Sequence, residues 1–360
     1  MTELGEGLAP PSAGGAEQQP LSCQSLLSVG SSALAVLGSF LVLLQIDIPL
    51  MRFLRSLDLS SIQRWGDWGE KLGNGGTLVG ISLALFLIGL LWKRDSLRRV
   101  AIDSLLAHAV VALLVNGLKH LIGRPRPRLT HGDEWQWWPS WESGLDSFPS
   151  GHTSSTVAVV TVLSRVLPCC RGLPFLLVAW VAASRIWRGS HFPSDVVAGM
   201  VVGYMVGTVF NSPLRWWHRS ARVGLVRVAP AAVAVAGLFW IASHRIVDTS
   251  IDAILVASAF CLVVGGAMLR SRRQWAASVE HSPLAAELPI ALTGMGLGVA
   301  TGAPVIIVLT ALISLAKLSS NGPVEQNFTV AVGWKAVLYA GGNVMLIMLI
   351  HALKGVIPLR

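Results

Sequence analysis

The chain is predicted to be an all-α, polytopic helical membrane protein, with a six-helix core over residues 23–211 and about four more transmembrane helices in 212–360. Three observations carry that prediction. Hydrophobic residues fill 53% of the 360 positions and charged residues only 13%, too little charge to cover soluble domains. Apolar runs recur along the chain at the length a helix needs to cross a hydrocarbon core, about 20 residues. Basic residues collect in alternate connections between these runs, the bias of cytoplasmic loops.

Residues 1–22 are rich in Gly, Pro, Gln and Glu, carry no Lys or Arg and offer no apolar face, which predicts a disordered tail. The run at 26–45 is too long for the apolar core of a cleaved leader and lacks a basic start, so it reads as the first span. Further spans are expected at 75–92, 101–118, 151–168, 173–187, 195–211, 228–244, 251–269, 288–316 and 332–353. The run at 173–187 is short. The run at 288–316 is long and broken by Gly294, Gly296, Gly298, Gly302 and Pro304, which fits a kinked helix or a re-entrant pair.

A net charge of +9 would suggest a nucleic-acid partner in a soluble protein. Here Lys93, Arg94, Arg98, Arg99, Arg171, Arg215, Arg219, Arg222, Arg227, Arg270, Arg272 and Arg273 fall in alternate loops, so membrane topology accounts for the charge and no nucleic acid is implied. Arg52 and Arg55, following an acidic tail and the first span, argue for the opposite orientation of that helix, but the later loops agree with one another. The four cysteines, Cys23, Cys169, Cys170 and Cys261, have no metal-type spacing, and neither a disulfide framework nor a zinc site follows.

Three stretches at the ends of apolar runs carry the chemistry. Lys119 closes the third span and six residues separate it from Arg126, where Pro125 and Pro127 stop the helix and let a guanidinium fork turn back toward the lysine. Taken alone, this could be a basic loop meeting anionic headgroups. Pro149-Ser150-Gly151-His152 opens the fourth span, with Ser150 suited to the N-cap, Gly151 admitting close approach and His152 beside the free amides that bind anions. Ser184-Arg185 ends the fifth span, and His191 and Asp195 lead into the sixth. A carboxylate one helical turn beyond His191 could hold its Nδ1 proton and leave Nε2 as a nucleophile or metal ligand.

Together these residues resemble the type 2 phosphatidic acid phosphatase superfamily, the lipid phosphate phosphatases, which also takes in the vanadium-dependent haloperoxidases. The pattern is Lys, six residues, Arg-Pro; Pro-Ser-Gly-His; then Ser-Arg, five residues, His, three residues, Asp, and this chain meets every position of it within residues 26–211. The resemblance implies that His191 is the nucleophile that becomes a phosphohistidine, that Asp195 orients it and that His152 is the general acid. Lys119, Arg126 and Arg185, with Ser150 and the Gly151 amide, would clamp the phosphate. Neither a metal nor any other cofactor is implied.

The expected activity is hydrolysis of a phosphomonoester or diphosphate on a lipid held in the bilayer: phosphatidic acid, phosphatidylglycerol phosphate or an isoprenyl diphosphate such as undecaprenyl diphosphate. The site is expected on the extracytoplasmic side of the plasma membrane. Two rivals are a lipid phosphotransferase using the same intermediate and a transporter or lipid-binding protein. Residues 212–360, outside the resemblance, read as a packing or oligomerisation module, with a substrate-shaping or transport role as the alternative. Arg124 and Arg128 read as headgroup-balancing charges, and Trp135, Trp137, Trp138 and Trp141 as an interfacial belt or a lid.

Overall fold

The computed structural model describes residues 23–56, 63–130, 138–166, 173–244, 294–299, 301, 303–320 and 347. Its long elements are α1 (Cys23–Ser56), α2 (Gln63–Leu72), α3 (Gly75–Leu91), α4 (Asp95–Ile122), α5 (Gly151–Leu163), α6 (Leu173–Trp187), α7 (Pro193–Phe210), α8 (Trp217–His244) and α9 (Pro304–Ser320). Among the described residues there is no strand. Stretches within α1, α4, α7 and α8 are long and apolar enough to cross a membrane, and α2 with α3, bent by 53° at their junction, together have the length and composition of a broken span or a re-entrant loop. The expected spans at 251–269 and 332–353 lie outside the described residues, apart from Ile347. Within the run at 288–316, a helix starts at Pro304, whose missing N–H is no loss at a first helical position.

Two elements differ from the expectation. α2 is polar enough to escape a search for apolar runs. It buries Gly66 and Gly69 while Trp65 and Trp68 stay exposed, and Gly69 packs so closely on Ser184 of α6 that a Cβ there would lie 2.5 Å from the serine Cβ. The fourth span is shorter than expected. α5 has 13 residues, a rise of about 20 Å, where a hydrocarbon core is about 30 Å thick. Its residues from Thr153 to Val162 are all buried, and it packs against α4, α6 and α7. A helix buried on every side lies inside the bundle, where it need not match the bilayer.

Small residues set the spacing of this bundle, as they do where helices associate without a hydrophobic drive between them. Gly199, Gly203 and Gly207 on α7 face α5. A Cβ on Gly199 would lie 2.7 Å from the Ser150 carbonyl oxygen, one on Gly207 2.8 Å from that of Ala158, and one on Gly203 would run into the Ser154 carbonyl. α3 and α4 are joined by the buried Ser82–Ser104 hydroxyl pair at 2.8 Å. A separate apolar cluster, including Val42, Leu43 and Ile46 of α1, Val197 and Val201 of α7, Val228 and Val233 of α8 and Ile306 and Leu309 of α9, locks α1 against α7.

Because the chain alternates direction, the C-terminal ends of α4 and α6 and the N-terminal ends of α5 and α7 meet at one end of the bundle. Gly123 (φ 60°) closes α4 by returning its N–H to the Lys119 carbonyl at 2.8 Å. A Cβ there would collide with the Trp138 carbonyl, so glycine is required twice over. The α5–α7 seam should therefore tolerate no added volume. Gly203→Ala is expected to destabilise the protein by about 1–3 kcal/mol, the cost of overpacking a tight interface, read as a lowered midpoint of thermal unfolding in detergent.

Candidate active site

The three sequence stretches converge at this end of the bundle. Lys119 lies in the last turn of α4, and Arg126 follows in the loop, where its backbone N–H donates to the Gly144 carbonyl at 2.9 Å. The same loop is tied again by the Ser147 N–H to the Arg124 carbonyl, also at 2.9 Å. Ser150 holds the N-cap position of α5, yet its hydroxyl pairs with the Thr153 hydroxyl at 3.0 Å and caps no backbone amide. The expected side-chain cap is thus absent. Gly151 faces Lys119, whose Nζ lies 3.8 Å from where a Cβ would stand. On His152 the buried Nε2 has no hydrogen-bond partner among the described residues.

Arg185 and His191 owe their positions to the way α6 ends. Gly189 (φ 62°) returns its N–H to the Ile186 carbonyl at 2.9 Å, and the Ser190 N–H returns to the Arg185 carbonyl at 3.0 Å, which is a Schellman closure. The chain reverses within this turn and delivers His191 beneath the loop that carries Ser147. The buried Arg185 guanidinium donates from Nη2 to the Ser190 hydroxyl at 2.9 Å, while Nε has no hydrogen-bond partner among the described residues.

His191 is buried, and its Nδ1 lies 2.7 Å from the Ser147 carbonyl oxygen. A carbonyl can only accept, so Nδ1 carries the proton and Nε2 keeps its lone pair. Burial, and then the nearby charges of Lys119, Arg185 and Arg126, push the imidazole well below the ordinary histidine range. The ring is neutral at neutral pH. This is the protonation state that a nitrogen nucleophile needs.

Asp195 was expected to hold the Nδ1 proton itself. The structure gives that proton to Ser147, with the carboxylate 3.9 Å from Nδ1. The physical reason is that Asp195 already has its donors: Oδ2 accepts from the Phe192 N–H at 2.8 Å and the Ser147 hydroxyl at 2.6 Å, and Oδ1 accepts from Arg124 Nη1 at 2.5 Å. Asp195 therefore steadies His191 at one remove, by fixing the serine whose carbonyl holds the ring.

Arg124, which the sequence left as a headgroup-balancing charge, is buried between two carboxylates. Besides Asp195 it donates from Nη2 to Asp47 of α1 at 2.8 Å and from Nη1 to the Ser194 hydroxyl at 2.7 Å. Asp47 in turn accepts from the Ser194 N–H at 3.0 Å and from its hydroxyl. Asp47, Ser147, Asp146 and Glu70 went unmarked in the sequence. Only an aspartate inside an apolar run, at position 47, offered a signal that could have been read.

The remaining acids face the cations. Asp146 accepts bidentate hydrogen bonds from Arg126 at 2.7 and 2.6 Å and lies 3.6 Å from Lys119 Nζ. The bonds from Arg126 hold its carboxyl well below the usual carboxylate range. Glu70 of α2 lies 3.6 Å from Arg185 Nη1 and 2.7 Å from Arg188. Of the tryptophan loop, Trp138 and Trp141 are described and exposed, and Trp141 stacks on His120 at 4.2 Å; Trp135 and Trp137 lie outside the described residues. Among the described residues no group of three or more His, Cys, Asp or Glu is placed to hold a metal ion.

Residues 101–219 match the PAP2 superfamily. The chain is 29% identical over 197 residues to a lipid A 1-phosphatase of Rhizobium etli, an alignment that takes in 51% of this chain and 82% of the relative. It is 37% identical over 113 residues to a decaprenylphosphoryl-5-phosphoribose phosphatase of Mycobacterium tuberculosis, covering 29% of this chain and 54% of that protein. An undecaprenyl-diphosphatase of Bacillus subtilis is 36% identical over 66 residues, 18% of this chain and 33% of the relative. No solved structure matches.

The arginine between two acids sets a stability prediction. Arg124→Met would leave Asp47 and Asp195 buried without their common cation, and losing one partner of a buried ion pair costs about 3–5 kcal/mol. The expected result is a lower unfolding midpoint or failure to accumulate. A variant as stable as the wild type would show that the acids do not depend on Arg124.

Proposed function

Given that residues 101–219 form a PAP2 superfamily domain, we propose that the chain is a membrane lipid phosphatase that cleaves a phosphomonoester or diphosphate through a phosphohistidine on His191. The observation that carries this reading is the neutral, buried imidazole with Nδ1 committed to the Ser147 carbonyl, set among Lys119, Arg126 and Arg185. The relatives named above are all phosphatases of lipid-linked substrates by name, which favours water over an alcohol as the final acceptor.

In this mechanism Lys119, Arg126 and Arg185, with the first amides of α5, neutralise the phosphate oxygens and hold the phosphorus in line with His191 Nε2. The Nε2 lone pair attacks, the bond from phosphorus to the lipid oxygen breaks, and His152 gives that oxygen its proton. Water then attacks the phosphohistidine, returns a proton to His152 and releases inorganic phosphate. Three cations supply the charge a metal would otherwise bring, so activity is expected to persist in chelator. The substrate class is a phosphorylated membrane lipid: phosphatidic acid, phosphatidylglycerol phosphate or an isoprenyl diphosphate.

The proposed site faces the extracytoplasmic side. Lys93, Arg94, Arg98, Arg99, Arg215 and Arg219 lie by chain direction at the end of the bundle away from Lys119 and His191, which supports that orientation. Arg55, one of the two discordant charges with Arg52, donates to the Pro127 and Thr130 carbonyls, a structural reason for its place there. Residues 23–211 would form the catalytic core and 212–360 a supporting region. α8 and α9 cover the face of α1 that carries Val42, Leu43 and Ile46 beside Asp47.

Phosphate release from a panel of these lipids, with purified protein in detergent, tests the reading. His191→Ala should abolish both turnover and labelled phosphoenzyme. His152→Ala should slow a poor alkoxide leaving group by about 10²–10⁴-fold and a nitrophenolate far less; a phosphoenzyme that persists without His191 would reverse the two roles. The pH dependence follows from the lowered His191 pKa. The neutral base is the active form and persists above that pKa, so with a nitrophenyl ester, whose leaving group does not depend on a proton from His152, kcat/KM should hold constant from neutral pH down through about 6.5, the ordinary histidine value. It should fall only below that, once the substrate's own second ionisation near pH 6 is divided out. An enzyme limb centred at or above 6.5 would contradict the assignment.

A further inference from the structure

The cations given above to the substrate's phosphate already hold carboxylates. Arg126 offers Nε and Nη2 to the two oxygens of Asp146, and Lys119 Nζ stands 3.6 Å from one of the same oxygens. Arg185 is held more loosely: its Nη1 lies 3.6 Å from Glu70 without a hydrogen bond, and Glu70 is tied to Arg188 at 2.7 Å. A carboxylate seated on a guanidinium fork uses the two parallel donors that a phosphate would use. Asp146 therefore sits where two oxygens of a phosphate would sit.

These acids are held differently from the buried pair on Arg124. Asp47 and Asp195 are wholly buried and tied to other donors, whereas the Asp146 side chain is 30% exposed and that of Glu70 36%. Asp146 belongs to a loop and Glu70 to the polar helix α2, and each has solvent to move into. Moving the Asp146 side chain need not disturb His191. The adjoining Ser147 is pinned independently, through its N–H to the Arg124 carbonyl and its hydroxyl to Asp195.

We propose that Asp146 is a displaceable internal anion of the phosphate site, with Glu70 a looser counter-charge to Arg185. At rest it keeps Lys119 and Arg126 together despite their like charge. A doubly charged terminal phosphate expels it, because two negative charges on the same donors outcompete one. A singly charged phosphodiester exchanges like for like and gains little. After turnover the carboxylate returns and helps expel inorganic phosphate. The inference deepens the reading of Lys119, Arg126 and Arg185 as a phosphate clamp and rests on it; it gives a physical reason for a terminal phosphate to be taken over a phosphodiester and makes Asp146 a specificity-determining residue.

The test is affinity for inorganic phosphate and orthovanadate, measured as competitive inhibition of nitrophenyl phosphate hydrolysis and by calorimetry on the full chain in detergent. Asp146→Asn keeps the shape of the side chain and removes its charge. It should bind both anions about tenfold tighter, with a lower KM for the dianionic ester and a lower kcat as product leaves more slowly. Glu70→Gln should tighten binding in the same direction by about threefold. Unchanged or weaker binding in Asp146→Asn would overturn the proposal and make Asp146 a fixed strut for Arg126. If that variant does not fold, Glu70→Gln decides by the same criterion. Arg126→Ala separates the two levels of the argument: if it binds the anions as well as the wild type, the clamp itself is wrong. If it binds them more weakly while Asp146→Asn binds no tighter, only the displaceable anion fails.

Discussion

The structure hangs on one buried cation. Arg124, 4% exposed, lies between Asp47 and Asp195, both wholly buried, and these three side chains join the α4–α5 connection to α1 and to the first turn of α7. Charges removed from water survive only when paired and hydrogen-bonded, so these segments must come together in one register or not at all. Ser194 and Ser147 complete the network, and Ser147 passes the constraint to His191 through its carbonyl. The position of His191 thus depends on an aspartate of α1, which lies before residue 101, where the superfamily match begins.

Helix packing supplies what the ion network requires. The close α5–α7 seam, set by Gly199, Gly203 and Gly207, holds the start of α5 against the start of α7, where the Ser150 N–H donates to the Asp195 carbonyl at 3.0 Å. Because α5 is enclosed by protein, its start faces Lys119 and not lipid, with Nζ 3.8 Å from where a Gly151 Cβ would stand. On the far side, the apolar cluster shared by α1, α7, α8 and α9 presses α1 inward at the level of Asp47. The later helices, which contribute no described residue to the site, contribute to where Asp47 stands.

The cations at the site act in two ways. Lys119, Arg126 and Arg185 are the groups suited to phosphate, and their charge, after burial, is what keeps His191 neutral. Three positive groups so close would repel one another. Asp146 and Glu70 relieve that repulsion at the open side of the site, while the Ser147 carbonyl holds the imidazole from the closed side.

The sequence by itself determined the helical, membrane-spanning class and marked the residues that meet at three helix ends. Apolar run length and the types of residue at Lys119, Arg126, His152, Arg185, His191 and Asp195 are local properties, and each was legible where it stood. What joins Asp47, Arg124 and Asp195 was not, because those residues are separated by 77 and 71 positions and nothing in a local window says which carboxylate an arginine will meet. For the same reason the spacing of His191 and Asp195 suggested a direct contact that the folded chain gives instead to Ser147: one helical turn fixes proximity, but the competition among donors for a carboxylate is settled only when the other segments arrive. The length of α5 was likewise a tertiary matter. An apolar run looks the same whether lipid or protein surrounds it, and only packing against α4, α6 and α7 decided that this one would be short and enclosed.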